Sequence, residues 1–584
     1  MQRTKLYKFL FVLFISFKVL GFDSYEHIAT GTNGVQLHFP KNSQVFDDFP
    51  YKLFYELLLE HENQPKVGKI EYNPQYITIR NGDQILKLAY GEIIALAGDF
   101  VGMSDKTISD GVEIKHFEKM RSRLEDNFRR AFEALLPSEQ NPIYSNNNLD
   151  YLRGLFKNEY KSLILNLSKK HGVHFNNASS HSVTSKIKDQ WAYSKSPGYV
   201  DLLSINVDHF EDDARISYAI GHSLAMEEAK KAYELKAKGE QEEAVAILNM
   251  AYAMDAFASH FLTDLFSSGH LRTPRGGLLE VSNSIKYRTM GYTASNVGLM
   301  ANAMHDEDGY SGLWLKNKEG QIWNAFGDGS YFDVKSLDNR QAIREALQAS
   351  VNEVYRTFET AQITPFKKFK ALKLVGDPLP SSSDVISKIA NPFALFKMTK
   401  TWPEVRKNYY DNSIGEYQAI TSLTGISSFI KSDLGTFNHA NFYSFLMAAH
   451  LVESFKRNVI VECYNTFDRE SIWPSKEKDY VTLKDSKSMI AIDNKTLQFY
   501  SSILIGNLRP DGIFYTVSAD EGEKIISQCQ HAMETNAKLG LVNGPQVVEI
   551  RGRIDRGYSH PIVVFDKEGQ LVRLKGYKSE TVKN

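Results

Sequence analysis

The sequence predicts a mainly α-helical protein that ends in a smaller α+β part. Three observations carry this expectation. Apolar residues recur at helical spacing through 112–136, 211–238, from 241 to the break at Ser267, and 338–362. Strand-like alternation appears late in the chain, at Val547–Ile554, Pro561–Phe565 and Leu571–Leu574. Between these regimes, Pro378–Ser383 (PLPSSS) reads as a linker. The expected plan is a leader over 1–21, a helical domain over 22–364 and a C-terminal α+β domain over 365–584.

At the N-terminus, Arg3, Lys5 and Lys8 precede the apolar run Phe9–Phe17, which Lys18, Val19, Leu20 and Gly21 follow. This reads as a secretory signal peptide, too short for a membrane span. Val19 and Gly21 suit the positions before a cleavage site, so the mature chain is expected to start at Phe22 and to be secreted or periplasmic. No later stretch reads as long and apolar enough to span a bilayer.

Residues 35–85 suggest no clear element. Leu86–Ala97 enters a buried helix at Tyr90 and stops at Gly98-Asp99-Phe100. The helix over 112–136 puts Phe117, Met120, Leu124, Phe128, Phe132 and Leu135 on one stripe, and Pro137 closes it. Another helix covers about 148–170, and the polar segment 171–198 reads as a surface loop. After Asp208-His209-Phe210 a long helix runs from Glu211 to Lys238, where Gly239 punctuates it. The next starts at Gln241. A further helix over 279–304 is expected to end in Met304-His305-Asp306-Glu307-Asp308-Gly309. Gly312–Trp323 reads as a hairpin with its turn at Asn317–Gly320. In the C-terminal part, helices are expected at 438–456 and 519–537.

The net charge of −1 offers no basic footprint for coating nucleic acid or an anionic membrane. A nuclease is still allowed, because metal ions can carry the positive charge inside a site. The two cysteines, Cys463 and Cys529, form no CxxC knuckle. A metal site in this chain must therefore use His, Asp and Glu.

Such a site is suggested by Ala253–His270 (AMDAFASHFLTDLFSSGH). His260 and Asp264 are one helical turn apart and share a face. Ser267, Ser268 and Gly269 then break the helix, which lets His270 swing back beside that face. Polar groups on an otherwise apolar helix are costly unless they are paired. A His–Asp hydrogen bond at a helix end would satisfy them as well as a metal would. Further candidates, in order, are His27, Asp99, His209 and His305. His222, in AIGHSLA, reads as structural or as support for the site.

The ordered set His27, Asp99, His209, His260, Asp264, His270 and His305 resembles the ligands of the zinc-dependent phospholipase C and single-strand nuclease superfamily. LAYGEIIALAGDF, VDHFEDDA, ASHFLTDLFSSGHLRTPR and MHDEDGYSGLWLKNKEGQIWNAFGD look like its Gram-negative, phosphatidylcholine-hydrolysing phospholipase C branch. The resemblance covers roughly 22–335 and implies a helical catalytic domain with a trinuclear zinc site. Asp99, His209, His260 and Asp264 would hold the first zinc. Phe22, through its α-amino nitrogen and carbonyl oxygen, would hold another with His27 and Asp264, so that Asp264 bridges. The family usually has Trp where Phe22 stands, and the Phe22-to-His27 spacing is closer to the nuclease branch. His270 and His305 would hold the third zinc with a carboxylate. The family places that carboxylate four residues after the last His, where this chain has Gly309. Asp308 is the first choice, with Glu307 and Asp328 as alternatives.

The resemblance implies a phospholipase C that cleaves glycerophospholipids to diacylglycerol and a phosphorylated headgroup by in-line attack of a zinc-activated hydroxide. Two close zinc ions lower the pKa of a bound water towards ~7 and stabilise the charge that develops on phosphate. Asp99 and Asp264 are the expected catalytic residues, with Asp99 as a proton acceptor ranked below the hydroxide. The implied partner is phospholipid at a membrane surface, with no stable nucleic-acid partner. Tyr25, Glu26, Phe100, Phe210 and Tyr310 are candidates to hold a choline headgroup. A single-strand nuclease and a non-catalytic secreted binding protein with a vestigial site are the alternatives.

Overall fold

The computed structural model describes most of residues 24–419, with its longer gaps at 41–44, 61–73, 169–205 (Leu202 apart), 284–293, 383–388, 400–402 and 408–414. Beyond 419 it describes six short strands. The leader, Phe22, the loop at 171–198, the two C-terminal helices, Asp328 and Cys529 lie outside the described residues.

The described chain is mostly helical, with sheets concentrated later. In order, α1 (Ser24–Thr32) and α2 (Lys52–Glu60) precede a hairpin of β1 (Tyr76–Asn81) and β2 (Gln84–Ala89). Then come α3 (Tyr90–Leu96), α4 (Phe117–Glu133), α5 (Asn148–Ser168), α6 (Glu211–Ala237) and α7 (Gln241–Asp264). These are followed by α8 (Arg275–Asn283), α9 (Ala294–Ser311), β3 (Leu313–Asn317), β4 (Ile322–Ala325) and α10 (Leu337–Thr360). Last in this part are α11 (Lys370–Leu374), β5 (Gly376–Pro378), β6 (Phe396–Met398), β7 (Pro403–Arg406) and β8 (Tyr417–Ala419). The strands beyond form a sheet ordered β14-β13-β12-β9 and a β10-β11 hairpin, built from β9 (Cys463–Asn465), β10 (Gln498–Ser501), β11 (Ile513–Thr516), β12 (Gln546–Glu549), β13 (Ile562–Phe565) and β14 (Leu571–Lys575).

The core is α7 lying along α6, with α3, β1 and α10 against them. From Ala251 onward every residue of α7 is buried. By length and composition α7 is apolar enough to cross a membrane, contrary to the sequence expectation, but most of it is sealed inside this bundle. Small residues let the helices close up. A Cβ on Gly221 of α6 would sit 2.6 Å from Ala258 Cβ on α7 and 2.2 Å from the Phe128 ring on α4. A Cβ on Gly91 of α3 would lie 2.2 Å from the carbonyl oxygen of Ile28 on α1. That close crossing brings α1, which carries His27, against the helix that ends beside Asp99. The stripe expected on α4 is the one that packs: Phe117, Leu124, Phe128, Phe132 and Leu135 are buried and Met120 is partly buried.

Three features differ from the sequence reading. The β1–β2 hairpin begins within 35–85 and runs on to Ala89, and its turn uses Gly82 at φ 58°. Helix α9 runs through Ser311 and stops at Gly312 (φ 72°), so His305, Glu307 and Asp308 lie within a helix. The linker expected at Pro378–Ser383 begins inside a sheet, because β5 pairs with β3 and β3 with β4.

Candidate metal centre

The ends of several elements meet at one buried point. α1 supplies His27, the loop after α3 supplies Asp99, and the 3-10 turn Val207–His209 supplies His209. The last turn of α7 supplies His260 and Asp264, and both are fully buried. Two groups emerge, His27 with His260 and Asp264, and Asp99 with His209 and His260. Within each, the ligand atoms lie within 4.8 Å of one another.

Asp264 stands between them. Its Oδ2 lies 2.8 Å from His209 Nδ1 and 3.4 Å from His260 Nε2, while Oδ1 lies 3.6 Å from His27 Nε2. His209 Nδ1 and His260 Nε2 are 3.0 Å apart. Such a convergence of ring nitrogens and carboxylate oxygens in a dry site suits a shared cation, and His and Asp are ligands that zinc accepts.

Neighbouring groups set the direction of each imidazole. His260 Nδ1 donates to the Ile94 carbonyl at 2.8 Å, which leaves its Nε2 lone pair facing the cluster. Thr263 spends its hydroxyl proton on the His260 carbonyl at 2.8 Å, so His27 Nδ1, 3.0 Å from that hydroxyl, is the donor there. Its Nε2 then presents a lone pair towards Asp264. His270 Nδ1 donates to the His209 carbonyl at 2.7 Å. The helix break at Ser267 and the 3-10 turn Ser268–His270 thus bring His270 back to the cluster, as the Ser-Ser-Gly signal implied.

His270 and His305 form an adjoining pair, with ring centroids 5.0 Å apart. Phe210 stacks flat on His270 at 4.3 Å and Gly269 packs against His305, where a Cβ would meet the ring at 2.5 Å. The carboxylate expected to complete this pair, Asp308, is engaged elsewhere. Arg272 donates to both its oxygens, Nε to Oδ2 and Nη2 to Oδ1, each at 2.7 Å. Glu307 likewise takes a two-pronged contact from Arg406, at 2.6 and 2.9 Å.

The electrostatics favour a cation. Burial is the main cause that pushes His209 and His270 down to about 3 and His260 down to about 4. His27 is lowered well below its ordinary value, first by burial and then by His260, His209 and His270. All four imidazoles are therefore neutral at physiological pH, the state in which a ring nitrogen can ligate a metal. Burial raises Asp264 against the opposing pull of His260, His270 and His305. His270 Nε2 and Asp264 Oδ1 are buried without a hydrogen-bond partner among the described residues, a costly state that a metal ion relieves. The residues present thus fit a metal ion.

Sequence reasoning missed the supports. Gly98 has φ 74°, and a Cβ there would lie 2.7 Å from His260 Cδ2 and 2.8 Å from His209 Cε1. Thr263 and the Ile94 carbonyl set tautomers with no signature beyond their position. Of the aromatic candidates for a headgroup site, Phe210 touches the cluster, whereas Tyr25 packs on Tyr160 and Phe332 and Phe100 on Phe156. Glu26 is fully buried and accepts the Tyr331 backbone N–H at 2.8 Å. The side chain of Tyr310 lies outside the described residues.

His222 lies apart, in the helical core. Its Nδ1 faces Asp255 at 2.7 Å and its Nε2 faces Glu353 at 3.1 Å. Ser350 donates to the same Asp255 oxygen at 2.7 Å, and Tyr90 donates to the other at 2.8 Å. This network ties α3, α6, α7 and α10 together. Comparison with known proteins returns no match to a family model, a curated protein or a solved structure.

Proposed function

We propose that this chain is a secreted zinc-dependent phosphodiester hydrolase, a phospholipase C acting on glycerophospholipids such as phosphatidylcholine. One observation carries the reading. Five donors far apart in sequence, His27, Asp99, His209, His260 and Asp264, meet in a buried cluster, with the His270–His305 pair beside it. A helical core needs no such set for stability, because burying several polar rings together is unfavourable without something to bind them. The local wording around each donor supports the phospholipase C branch.

Zinc bound there would lower the pKa of a coordinated water towards ~7 and stabilise charge on the phosphate oxygens. The protein's own contribution is positional. Asp99, His209, His260 and Asp264 would hold one ion, and His27 and Asp264 a second, together with the mature N-terminus. His270 and His305 would contribute two nitrogens to a third. Ile94, Thr263 and the His209 carbonyl keep each ring's donor nitrogen turned outward and its acceptor turned to the cluster. Phe210 and Phe261, stacked on or edged against these rings, exclude water from their outer faces.

The test is to assay the secreted protein in parallel on phosphatidylcholine vesicles and on single-stranded DNA, before and after strong chelation. Diacylglycerol release that chelation abolishes and zinc restores supports the reading. DNA cleavage in place of lipid cleavage moves the assignment to the nuclease branch. Turnover that survives chelation, or turnover of neither substrate, refutes it.

A further inference from the structure

Glu307 and Asp308, after His305, are not loose. Glu307 and Asp308 are 1% and 0% exposed, and each is gripped by an arginine. Arg406, fully buried on β7, holds Glu307 with two nitrogens and gives a further bond to the Phe393 carbonyl at 2.6 Å. Arg272, two residues after His270, holds Asp308 and reaches the Pro392 carbonyl at 2.7 Å and Ser381 Oγ at 3.3 Å. Ser381 in turn donates to the Pro392 carbonyl at 2.9 Å. The described chain at Ser381, Pro392, Phe393 and Arg406 therefore touches both elements that carry the His270–His305 pair. It meets the His270 turn through Arg272 and α9 through Arg406. One more bond and one packing contact tie the turn to α9: Ser268 Oγ donates to the Asp308 carbonyl at 2.8 Å, and Gly269 packs on the His305 ring.

A fork between guanidinium and carboxylate fixes both distance and plane, which a lysine cannot do. Two such forks, one beside each histidine, restrict how α9 can slide or rotate against the His270 turn. We infer that Arg406 is a positioning residue for the metal centre, and that with Ser381, Pro392 and Phe393 it forms a brace that sets the His270–His305 pair. The inference rests on the metal-centre reading and adds to it a dependence on chain beyond residue 365. It also gives Glu307 and Asp308 a role as anchors for arginine. Among the described residues, the bonds of Arg272 and Arg406 named above run to the His270 turn, α9, Ser381, Pro392 and Phe393, and the His27, Asp99, His209, His260 and Asp264 donors sit on other elements.

The test measures zinc per chain by elemental mass spectrometry, together with thermal melting, on the full-length secreted protein and its variants. Arg406→Met alone takes the two-pronged guanidinium contact away from the buried Glu307 carboxylate and can cost the fold. The companion variant Arg406→Met with Glu307→Met removes both charges and keeps apolar bulk, so it keeps the core packed. Expected is selective loss of the most weakly held ion in the double variant, with its melting cooperative and the remaining zinc retained. Arg406→Lys, which keeps charge but loses the fork, is expected to hold that ion more weakly than wild type in a chelator titration. A double variant that loads as much zinc as wild type, with the same chelator curve, overturns the brace. So does one that is folded but has lost all its zinc, because the effect is then not confined to this pair. A wild-type chain that takes up no metal overturns the metal-centre reading and the brace with it.

Discussion

Replacing Gly98 by alanine probes the centre without touching a donor atom. Gly98 sits at φ 74°, where a Cβ adds strain of about 1–2 kcal/mol. The larger effect is steric. The added carbon would lie 2.7 Å from His260 Cδ2 and 2.8 Å from both His209 Cε1 and His260 Nε2, whereas ordinary contact begins at 3.4 Å. Neither ring can retreat freely, because Ile94 holds His260 and Phe261 packs edge-on against both. Both rings must therefore shift by several tenths of an ångström. A misplacement approaching 1 Å at a reacting centre costs about 10²-fold in rate. Gly82→Ala is the matched control. Gly82 also has positive φ, at 58°, but nothing lies within 4 Å of its added carbon. Both variants carry a similar backbone strain, and the steric clash is added in Gly98→Ala alone, which should therefore melt lower than Gly82→Ala. Gly98→Ala should in addition lose between ~10- and ~100-fold in phosphodiester turnover and hold zinc more weakly. Equal turnover and equal zinc content in the two variants would refute the argument that Gly98 makes room for the ligands.

Other predictions follow from titration and ligand chemistry. His222 is raised to about 9; burial lowers it, but Asp255 and Glu353 together outweigh that. Its stabilising contribution is full below about 6.5 and fades as pH rises through about 9. Wild type should therefore lose more melting temperature between pH 6.5 and 9.5 than His222→Gln, and parallel profiles would contradict this. The imidazoles of the metal-free centre should act in the opposite sense on the acid side. His209, His260 and His270 resist protons in the folded chain that the unfolded chain accepts below about 6.5. These imidazoles give the chelator-treated protein a loss of stability as pH falls below that value, which the raised Asp264, Asp208, Asp308, Glu211 and Asp213 oppose. His270→Gln should flatten that slope by about one proton, and an unchanged slope would count against a neutral buried His270. His260→Ala should abolish turnover while leaving a folded protein, which circular dichroism and the lipid assay check together.

Much of the centre was legible because its strongest segment is local. The spacing of His260 and Asp264 follows from helix geometry alone, and the Ser-Ser-Gly break that returns His270 is written into the same stretch. The convergence of His27, Asp99 and His209 is tertiary, and no spacing within one segment encodes it. The misplaced end of α9 has a physical cause. His-Asp-Glu-Asp-Gly looks like a solvent-exposed terminus, yet Glu307 and Asp308 are buried because arginines more than thirty residues away in one direction and almost a hundred in the other neutralise them. Local polarity misleads wherever the partner charge comes from distant chain. The β1–β2 hairpin was missed although Asn81-Gly82 is a turn signal, because its alternation spans just six residues on each strand within a long mixed stretch. The membrane-like composition of α7 is the converse case. A helix enclosed on all sides by its neighbours needs the same apolar residues that a lipid-facing helix does.

The most direct test of the centre is zinc content in wild type beside Asp264→Asn. Asp264 faces His209 and His260 with one oxygen and His27 with the other, so losing its charge weakens two positions at once. The substitution keeps the shape of the side chain and leaves the helix intact. The account predicts about three zinc ions per wild-type chain and at most about one in Asp264→Asn, with both proteins folded. Zinc-free wild type, or a variant that keeps its full complement, would contradict it.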